Sequence, residues 1–206
     1  MSLFYANSRV YHLLMALTYR NHRDERFRAV AEWVPAGAQV LDVCCGDGSL
    51  LEHLPPNVTY RGLDRSGAFL RTAGKHGRSV EWFDVCSGDL PKSQVVICQV
   101  SLYQFYPLVG EMLARLFEAA TQRLIISESV WSLTRSRVPL VAPLIAWAMR
   151  TNDLSDGYFR FTAEELDRLF AAYQPFMRHQ GSICGGLDRL FVLDKASGNP
   201  VGDLRG

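Results

Sequence analysis

Three aspartates lie at or near the ends of three short apolar stretches of the sequence. Each stretch is a predicted strand: Asp42 lies in VLDV, Asp64 ends VTYRGLD, and Asp84 ends the third strand, in SVEWFDV. A carboxylate has two acceptor oxygens, so it can accept hydrogen bonds from both hydroxyls of a ribose. The offset of 22 residues between Asp42 and Asp64 matches the ~20 residues at which α/β nucleotide sites place a ribose-binding acid. The pattern predicts a site for a nucleoside-containing ligand.

The element that must position these acids is the stretch VLDVCCGDGSLL, residues 40–51. It is typical of a buried strand, a tight turn and a helix that begins at Ser49. Gly46 and Gly48 have no Cβ, so the backbone can turn sharply and approach a ligand closely. Ser49 and Glu52 have the spacing of a capping box, which predicts the helix start. Strand, glycine turn and helix form the nucleotide-binding corner of a doubly wound sheet.

The turn distinguishes between two classes of ligand. A dinucleotide brings a pyrophosphate and requires the pattern G-x-G-x-x-G. The sequence from Gly46 is GDGSLL, which lacks the third glycine, and both Asp42 and Asp47 would repel phosphate. S-adenosylmethionine has no phosphate and carries a sulfonium and an ammonium group, which suit acidic side chains. S-adenosylmethionine is therefore favoured, and an NAD-dependent oxidoreductase is the weaker alternative.

With this motif the chain resembles the class I S-adenosylmethionine-dependent methyltransferases, whose first strand is followed by acid-x-G-x-G-x-G. Cys44 stands where the family usually has its first glycine. Residues 42–48 therefore have the form DxCCGxG, which resembles the motif of the quinone-type C-methyltransferases in this family. The resemblance covers residues 29–195. It implies that Asp64 binds the ribose, that Asp84 accepts from the adenine amino group, and that the neighbouring backbone amide faces the ring. The implied cofactor-binding residues are Asp42, Cys44, Gly46, Asp47, Gly48, Asp64, Arg65, Asp84, Val85 and Gln99.

The predicted fold is α/β, a Rossmann-like doubly wound sheet of seven strands with helices on both faces. The sheet is expected to be mostly parallel with an antiparallel last strand. Residues 1–195 are expected to form one methyltransferase domain. Within it, the resemblance implies that helices in 1–34 lie over the cofactor pocket as a partial lid, with simple cover for one face of the sheet as the alternative. It also implies that 130–161 is an insertion that shapes the substrate pocket. The tail 196–206 is expected to be disordered.

Further elements follow from local patterns. Residues 94–100 form an apolar run typical of a central parallel strand, and 123–129 predict the next strand. A helix is expected from Pro107 to Ala120, with Pro107 at its first position. Thr162 and Glu165 have the spacing of a second capping box.

The substrate side of the site is expected after the fourth and fifth strands. The resemblance implies that Tyr103 and Gln104 lie beside the transferable methyl group, although ordinary loop structure is an equal alternative. Glu128, at the carboxyl end of its strand, is expected to face the cleft, and Tyr158 lies in the insertion. Since the sulfonium is already activated, no catalytic residue is assigned. Tyr103, Glu128 and His12 are candidate bases if the acceptor is protonated.

Composition limits the partners. The 206 residues carry a net charge of +1, which gives no global field for nucleic acid, and the histidines and cysteines have no metal-ligand spacing. The five cysteines are expected to be buried and reduced. Without a signal-peptide pattern, the protein is expected to be cytoplasmic.

The insertion contains the longest apolar run, VPLVAPLIAWAM (138–149), flanked by arginines. It is too short for a membrane span. It indicates a small, apolar methyl acceptor, with peripheral membrane contact or packing against the domain or a second copy as alternatives. Oligomeric state, monomer or homodimer, is open. A catalytically silent S-adenosylmethionine-binding protein is the alternative to an enzyme.

Overall fold

The structure is a computed structural model that describes residues 22–130 and 161–195. The sequence predictions for most of the N-terminal helices, for nearly the whole insertion and for the tail lie outside the described residues. So do His12 and Tyr158. Within the described residues, no helix is long and apolar enough to cross a membrane.

A seven-stranded sheet forms the centre of the molecule, with the strand order β3-β2-β1-β4-β5-β7-β6. The strands are β1 (Gln39–Val43), β2 (Thr59–Asp64), β3 (Val80–Trp82), β4 (Ser93–Gln99), β5 (Ala120–Ser129), β6 (Met177–Ile183) and β7 (Asp188–Asp194). Strands β1 to β5 run parallel. Strand β7 is antiparallel to both of its neighbours, β5 and β6. This confirms the predicted mostly parallel sheet with an antiparallel last strand.

The described helices connect these strands. The α-helices are α1 (His22–Ala31), α2 (Gly67–Lys75), α3 (Val109–Ala119) and α4 (Ala163–Leu169), and the main 3-10 segments are Ser49–His53, Leu102–Phe105 and Ala171–Phe176. From β1 the chain moves outward to β2 and β3 and then returns to place β4 on the other side of β1. The strand order therefore reverses between β1 and β4, which is where ligands bind in open α/β sheets.

Each face of the sheet is covered by its own apolar cluster. One cluster joins α1 and the segment Ser49–His53 to the sheet through Val30, Leu50 and Ile97. The other joins α3 and α4 to the opposite face, for example through Leu113 and Leu166. The side chains from Val95 to Cys98 in β4 are all at most 1% exposed, because both faces of a central parallel strand are covered. Helices on both faces are thus confirmed.

The capping box predicted at Ser49 is wrong. The residue before the 3-10 segment is Gly48, in the left-handed region at φ 72°, and no side chain caps this segment. Ser49 Oγ donates instead to Asp47 Oδ1 at 2.6 Å, and Glu52 accepts from Arg78. Both members of the predicted box are therefore bound to other partners.

Three further expectations need correction. Strand β3 ends at Trp82, earlier than predicted, because Asp84 begins a turn in which its carbonyl accepts from Ser87 N at 3.2 Å. Pro107 precedes the helix, which begins at Val109 with Leu108 as its N-cap. Cys86 is exposed in the loop after β3.

The capping box at Thr162 is confirmed and gives a stability prediction. Thr162 Oγ1 accepts from Glu165 N at 3.2 Å, and Glu165 Oε2 accepts from Thr162 N at 2.7 Å. Thr162→Ala should lower the free energy of unfolding by about 1 kcal/mol, because the helix loses a capping acceptor. Thr162→Ser keeps the oxygen and should cost far less. Urea unfolding measures both, and equal losses in the two variants would contradict the role of the cap.

Candidate functional site at the carboxyl edge of the sheet

The turn after β1 is built from residues in the left-handed region. Cys44, Gly46 and Gly48 have φ values of 59°, 61° and 72°. Cys44 therefore adopts a conformation that favours glycine, at the position where the related motif has glycine. At Gly48 an added Cβ would lie 2.9 Å from Val80 Cγ2, so close packing against β3 also requires glycine there.

Asp64 holds this turn from the neighbouring strand. Its Oδ2 accepts from Gly46 N at 2.8 Å, and its Oδ1 accepts from Ser66 N at 2.8 Å. Burial raises the pKa of the Asp64 carboxyl, and the two amide hydrogen bonds oppose that shift. The acid predicted to bind a ribose thus lies directly against the predicted glycine turn.

Asp42 is buried beside the same turn, with 1% of its surface exposed. Its Oδ2 accepts from Tyr60 Oη at 2.9 Å, whereas Oδ1 has no hydrogen-bond partner within 22–130 and 161–195. Burial raises the Asp42 pKa to about 7, and the charge of Asp64 adds to this shift. Tyr60 was not predicted from the sequence as part of this site. The strand register could have found it, since Tyr60 pairs with Val40 and so shares the face of Asp42.

Asp47, within the turn, lies close to two arginines of the protein itself. Its carboxylate lies 3.6 Å from Arg23 Nη2 and 3.7 Å from Arg78 Nη1. Arg78 Nη1 also donates to the Asp47 carbonyl at 3.0 Å and to Ser49 Oγ at 3.2 Å. Asp47 and Arg78 together stabilise the shape of the turn.

The loop after β3 carries Asp84 and Val85. Phe83 N donates to the Asp64 carbonyl at 3.1 Å, so Asp84 follows directly beyond the end of β2. Arg115 of α3, which the sequence analysis missed, donates through Nη1 to the Val85 carbonyl at 2.7 Å and through Nη2 to the Gly88 carbonyl. Both hydrogen bonds come from a guanidinium that is 30 residues from Val85 and 27 from Gly88 in sequence, and they fix this loop against the core. Arg65, at the end of β2, is exposed.

The ends of β4 and β5 lie on the other side of the point where the strand order reverses, between β1 and β4. Gln99 lies opposite Ser127 in the strand register, and Gln99 Oε1 is buried without a hydrogen-bond partner among the described residues. Val100 N donates to the Ser127 carbonyl at 2.7 Å. Gln99 therefore lies near Asp42, at the ends of the neighbouring strands β4 and β1.

Glu128 is fully buried and contacts the loop after β4. Its Oε2 accepts from Leu102 N at 2.7 Å, and its Oε1 accepts from Ser129 N at 3.0 Å. The hydrogen bond to Leu102 anchors the 3-10 segment that carries Tyr103 and Gln104. Tyr103 is half-buried and Gln104 is exposed.

The structure brings most of the predicted cofactor residues to one edge, around the ends of β1, β2 and β4, with Asp84 and Val85 just beyond β3. Among the residues described, no group of three or more histidine, cysteine, aspartate or glutamate side chains is arranged to hold a metal ion.

This fold is the class I S-adenosylmethionine-dependent methyltransferase fold, as comparison with solved structures shows. Magnesium protoporphyrin IX methyltransferase from Synechocystis PCC 6803, solved with bound S-adenosylhomocysteine, superimposes with a TM-score of 0.61 at 17% identity, over 86% of this chain and 85% of that one. A Thermotoga maritima methyltransferase, described as a possible histamine N-methyltransferase, gives 0.64 at 14% identity, over 93% and 98% of the two chains. Human N-acetylserotonin methyltransferase in complex with S-adenosylmethionine gives 0.57 at 16%, over 88% and 59%.

At the level of sequence, the family model for the methionine biosynthesis protein MetW matches residues 23–95. The match covers about a third of the chain and contains α1, the glycine turn and the first three strands. A comparison with curated proteins gave no significant match.

The burial of Asp42 predicts a pH-dependent stability. Its pKa is about 7 in the folded protein against an ordinary value of 3.8, so between these values the folded state binds more protons than the unfolded state. Its contribution to stability is fully present below the unfolded pKa and is lost as the pH rises through about 7. The shift corresponds to a loss on the order of 4 kcal/mol. Asp42→Asn should therefore be more stable than wild type near pH 8 and lose less stability above pH 5.

Urea unfolding of both proteins at several pH values measures this difference. Glu81→Gln, at an exposed position, is the control and should leave the difference between about pH 5 and about pH 8 unchanged. Parallel pH profiles for wild type and Asp42→Asn would show that Asp42 does not titrate in this range.

Arg115 gives a prediction for the loop after β3. Arg115→Gln should speed amide hydrogen exchange within residues 84–90, because the loop loses two charge-assisted hydrogen bonds, worth roughly 1.5–3 kcal/mol each. Hydrogen-exchange mass spectrometry measures this. Arg71→Gln, on the exposed side of α2, is the matched control. Unchanged exchange in Arg115→Gln would mean that the loop is held by its buried side chains alone.

Proposed function

We propose that the protein binds S-adenosylmethionine at the carboxyl edge of β1, β2 and β4 and transfers its methyl group to a small acceptor. One observation carries this proposal. Asp42 and Asp64 lie close enough at the glycine turn for the charge of Asp64 to add to the rise that burial causes in the pKa of Asp42. Neither forms a salt bridge with a residue in the described part of the chain, although the charge of Arg65 opposes the rise that burial causes in the pKa of Asp64. A ligand with an ammonium and a sulfonium group supplies the missing positive charge.

The proposed contacts follow the order of the strands. Asp64 accepts from the ribose hydroxyls at the end of β2, and Asp84 with the Val85 amide contacts the adenine. Asp42 and Gln99 have unpartnered buried oxygens on neighbouring strands, so they face the methionine end. The turn itself is shaped or flanked by the remaining predicted residues, Cys44, Gly46, Asp47, Gly48 and Arg65.

The protein's part in the reaction is alignment and exclusion of water. S-adenosylmethionine, when bound, supplies an activated methyl group, and as the acceptor atom bonds to that carbon, the carbon–sulfur bond breaks with its electron pair left on sulfur. The turn and the loop after β4 hold the two reactants in line. Glu128 already accepts two backbone hydrogen bonds, so it acts by positioning the segment that carries Tyr103. Of the predicted bases in the described part of the chain, Tyr103 is therefore the one proposed to remove a proton from the acceptor.

The proposed acceptor is a small molecule with an apolar body. Aromatic side chains follow β4, where Tyr103 and Phe105 pack against the core cluster and Tyr106 is 52% exposed. They offer an apolar surface beside the proposed methyl position. A nucleic-acid acceptor is disfavoured by the net charge of +1, which gives no global field for a polyanion.

A catalytically silent S-adenosylmethionine-binding protein is the second candidate. It is favoured by Glu128, because both oxygens of this predicted base accept backbone hydrogen bonds. Turnover with an identified acceptor and methyl-labelled cofactor separates the two functions, since binding is common to both.

Asp64→Ala tests the cofactor site. It should weaken binding of S-adenosylhomocysteine by roughly 1.5–3 kcal/mol, the range for lost hydrogen bonds to a charged group. Isothermal titration calorimetry measures this, with thermal unfolding as a check on the turn, because Asp64 also accepts from Gly46 N. Glu81→Gln should bind like wild type. No binding of either S-adenosyl ligand to wild type, or tighter binding of NAD, would refute the proposal.

A further inference from the structure

Four buried polar atoms at the carboxyl edge lack hydrogen-bond partners within the described residues. They are Asp42 Oδ1, Gln99 Oε1, Ser127 Oγ and Asp188 Oδ1. They belong to β1, β4, β5 and β7, which are consecutive strands of the sheet. The row thus extends beyond the proposed cofactor residues Asp42 and Gln99, onto β5 and β7.

The strand register places the four side chains on one face. Gln99 lies opposite Ser127, and Asp42 lies opposite the residue two positions before Gln99. Asp188 lies two positions from the residue opposite Ser127. Since side chains alternate between faces, all four point to the side that α1 covers, where alternate residues of the same strands form an apolar cluster.

Unpartnered buried polar groups destabilise a folded protein, and most proteins contain few of them. Ser127 and Asp188 are both 0% exposed. A row of such atoms, in register and at the edge where α/β proteins bind ligands, points to a ligand that supplies the missing hydrogen bonds.

The row is too long for the methionine end of the cofactor alone. Neighbouring strands lie about 4.8 Å apart, so β7 is roughly 14 Å from β1. Asp42 and Gln99 lie at the proposed cofactor site, whereas Ser127 and Asp188 continue away from it. They form a second group at the same edge, on the face that α1 covers.

We propose that Ser127 and Asp188 bind a hydroxyl or amino group of the methyl acceptor. Arg26 Nε donates to Asp188 Oδ2 at 2.5 Å, and the buried Cys184 thiol also interacts with this carboxylate. Asp188 Oδ1 has no hydrogen-bond partner among the described residues, so it can accept a hydrogen bond from the ligand. The Ser127 hydroxyl both donates and accepts. The acceptor is therefore a small apolar molecule with one O–H or N–H group, an assignment that rests on the proposed methyl transfer.

The first experiment needs no ligand and compares two buried serines. Ser93 Oγ donates to the Gln39 carbonyl at 2.9 Å, whereas Ser127 Oγ has no partner among the residues described. Ser93→Ala should lower the melting temperature by about 2–4 °C. Ser127→Ala should leave it unchanged or raise it, as expected for a group kept for binding. A loss in Ser127→Ala equal to that in Ser93→Ala would show a structural hydroxyl and overturn the proposal.

The second experiment uses 1-naphthol, 1-naphthylamine and 1-methoxynaphthalene as probes, titrated by NMR into the protein with and without saturating S-adenosylhomocysteine. The hydroxyl or the amine probe should bind about tenfold more tightly than the methoxy probe, and the better of the two identifies the group. Ser127→Ala and Asp188→Asn should abolish that preference, and Ser127→Ala should bind S-adenosylhomocysteine within about twofold of wild type.

The outcomes separate the two proposals. Equal binding of all three probes, or a preference that survives both substitutions, would overturn this inference even if S-adenosylhomocysteine binds. A Ser127-dependent preference without S-adenosylhomocysteine binding would support the polar site while refuting the proposed cofactor.

Discussion

The site depends on the hydrogen bond from Gly46 N to the Asp64 carboxylate. It joins the turn after β1 to the end of β2 at 2.8 Å, and Asp64 can accept it only because β1 and β2 are parallel neighbours with their ends at the same edge. Through Phe83 N, which donates to the Asp64 carbonyl, the same residue orients the loop after β3. One residue therefore connects three of the loops that surround the proposed cofactor.

Charge is distributed unevenly around this connection. Asp47 has Arg23 and Arg78 close by, whereas Asp42 and Asp64 form no salt bridge with any residue in 22–130 or 161–195. The protein thus pairs the acid that shapes its turn with two arginines. The two acids nearest the proposed ligand form no ion pair with a described residue, and only the charge of Arg65 opposes the rise that burial causes in the pKa of Asp64. Such an arrangement disfavours phosphate and favours a cationic ligand, which agrees with the fold.

Local patterns predicted the strands and the glycine turn well, because apolar runs and turn residues act over a few positions. The two predicted capping boxes show that local spacing alone does not decide whether a cap forms. Thr162 and Glu165 form theirs, while Ser49 and Glu52 have the same spacing but are bound by Asp47 and Arg78. The capping box at Ser49 does not form because Glu52 is bound by Arg78, a residue 26 positions away in sequence. Tyr60, Arg115 and Asp188 were missed for the same reason, since their roles arise from strand register and helix packing.

The packing of the turn also limits how this sequence can vary. An added Cβ at Gly48 would lie 2.9 Å from Val80 Cγ2, and one at Gly62 would lie 3.0 Å from the same methyl group. Two glycines on different segments thus make room for one branched side chain of β3. Substitutions at these three positions are therefore not additive, because contacting residues couple energetically. Since a Cβ at position 62 would also lie 2.7 Å from Cys45 Sγ, natural variants with a larger residue at position 62 should carry smaller ones at both positions 45 and 80.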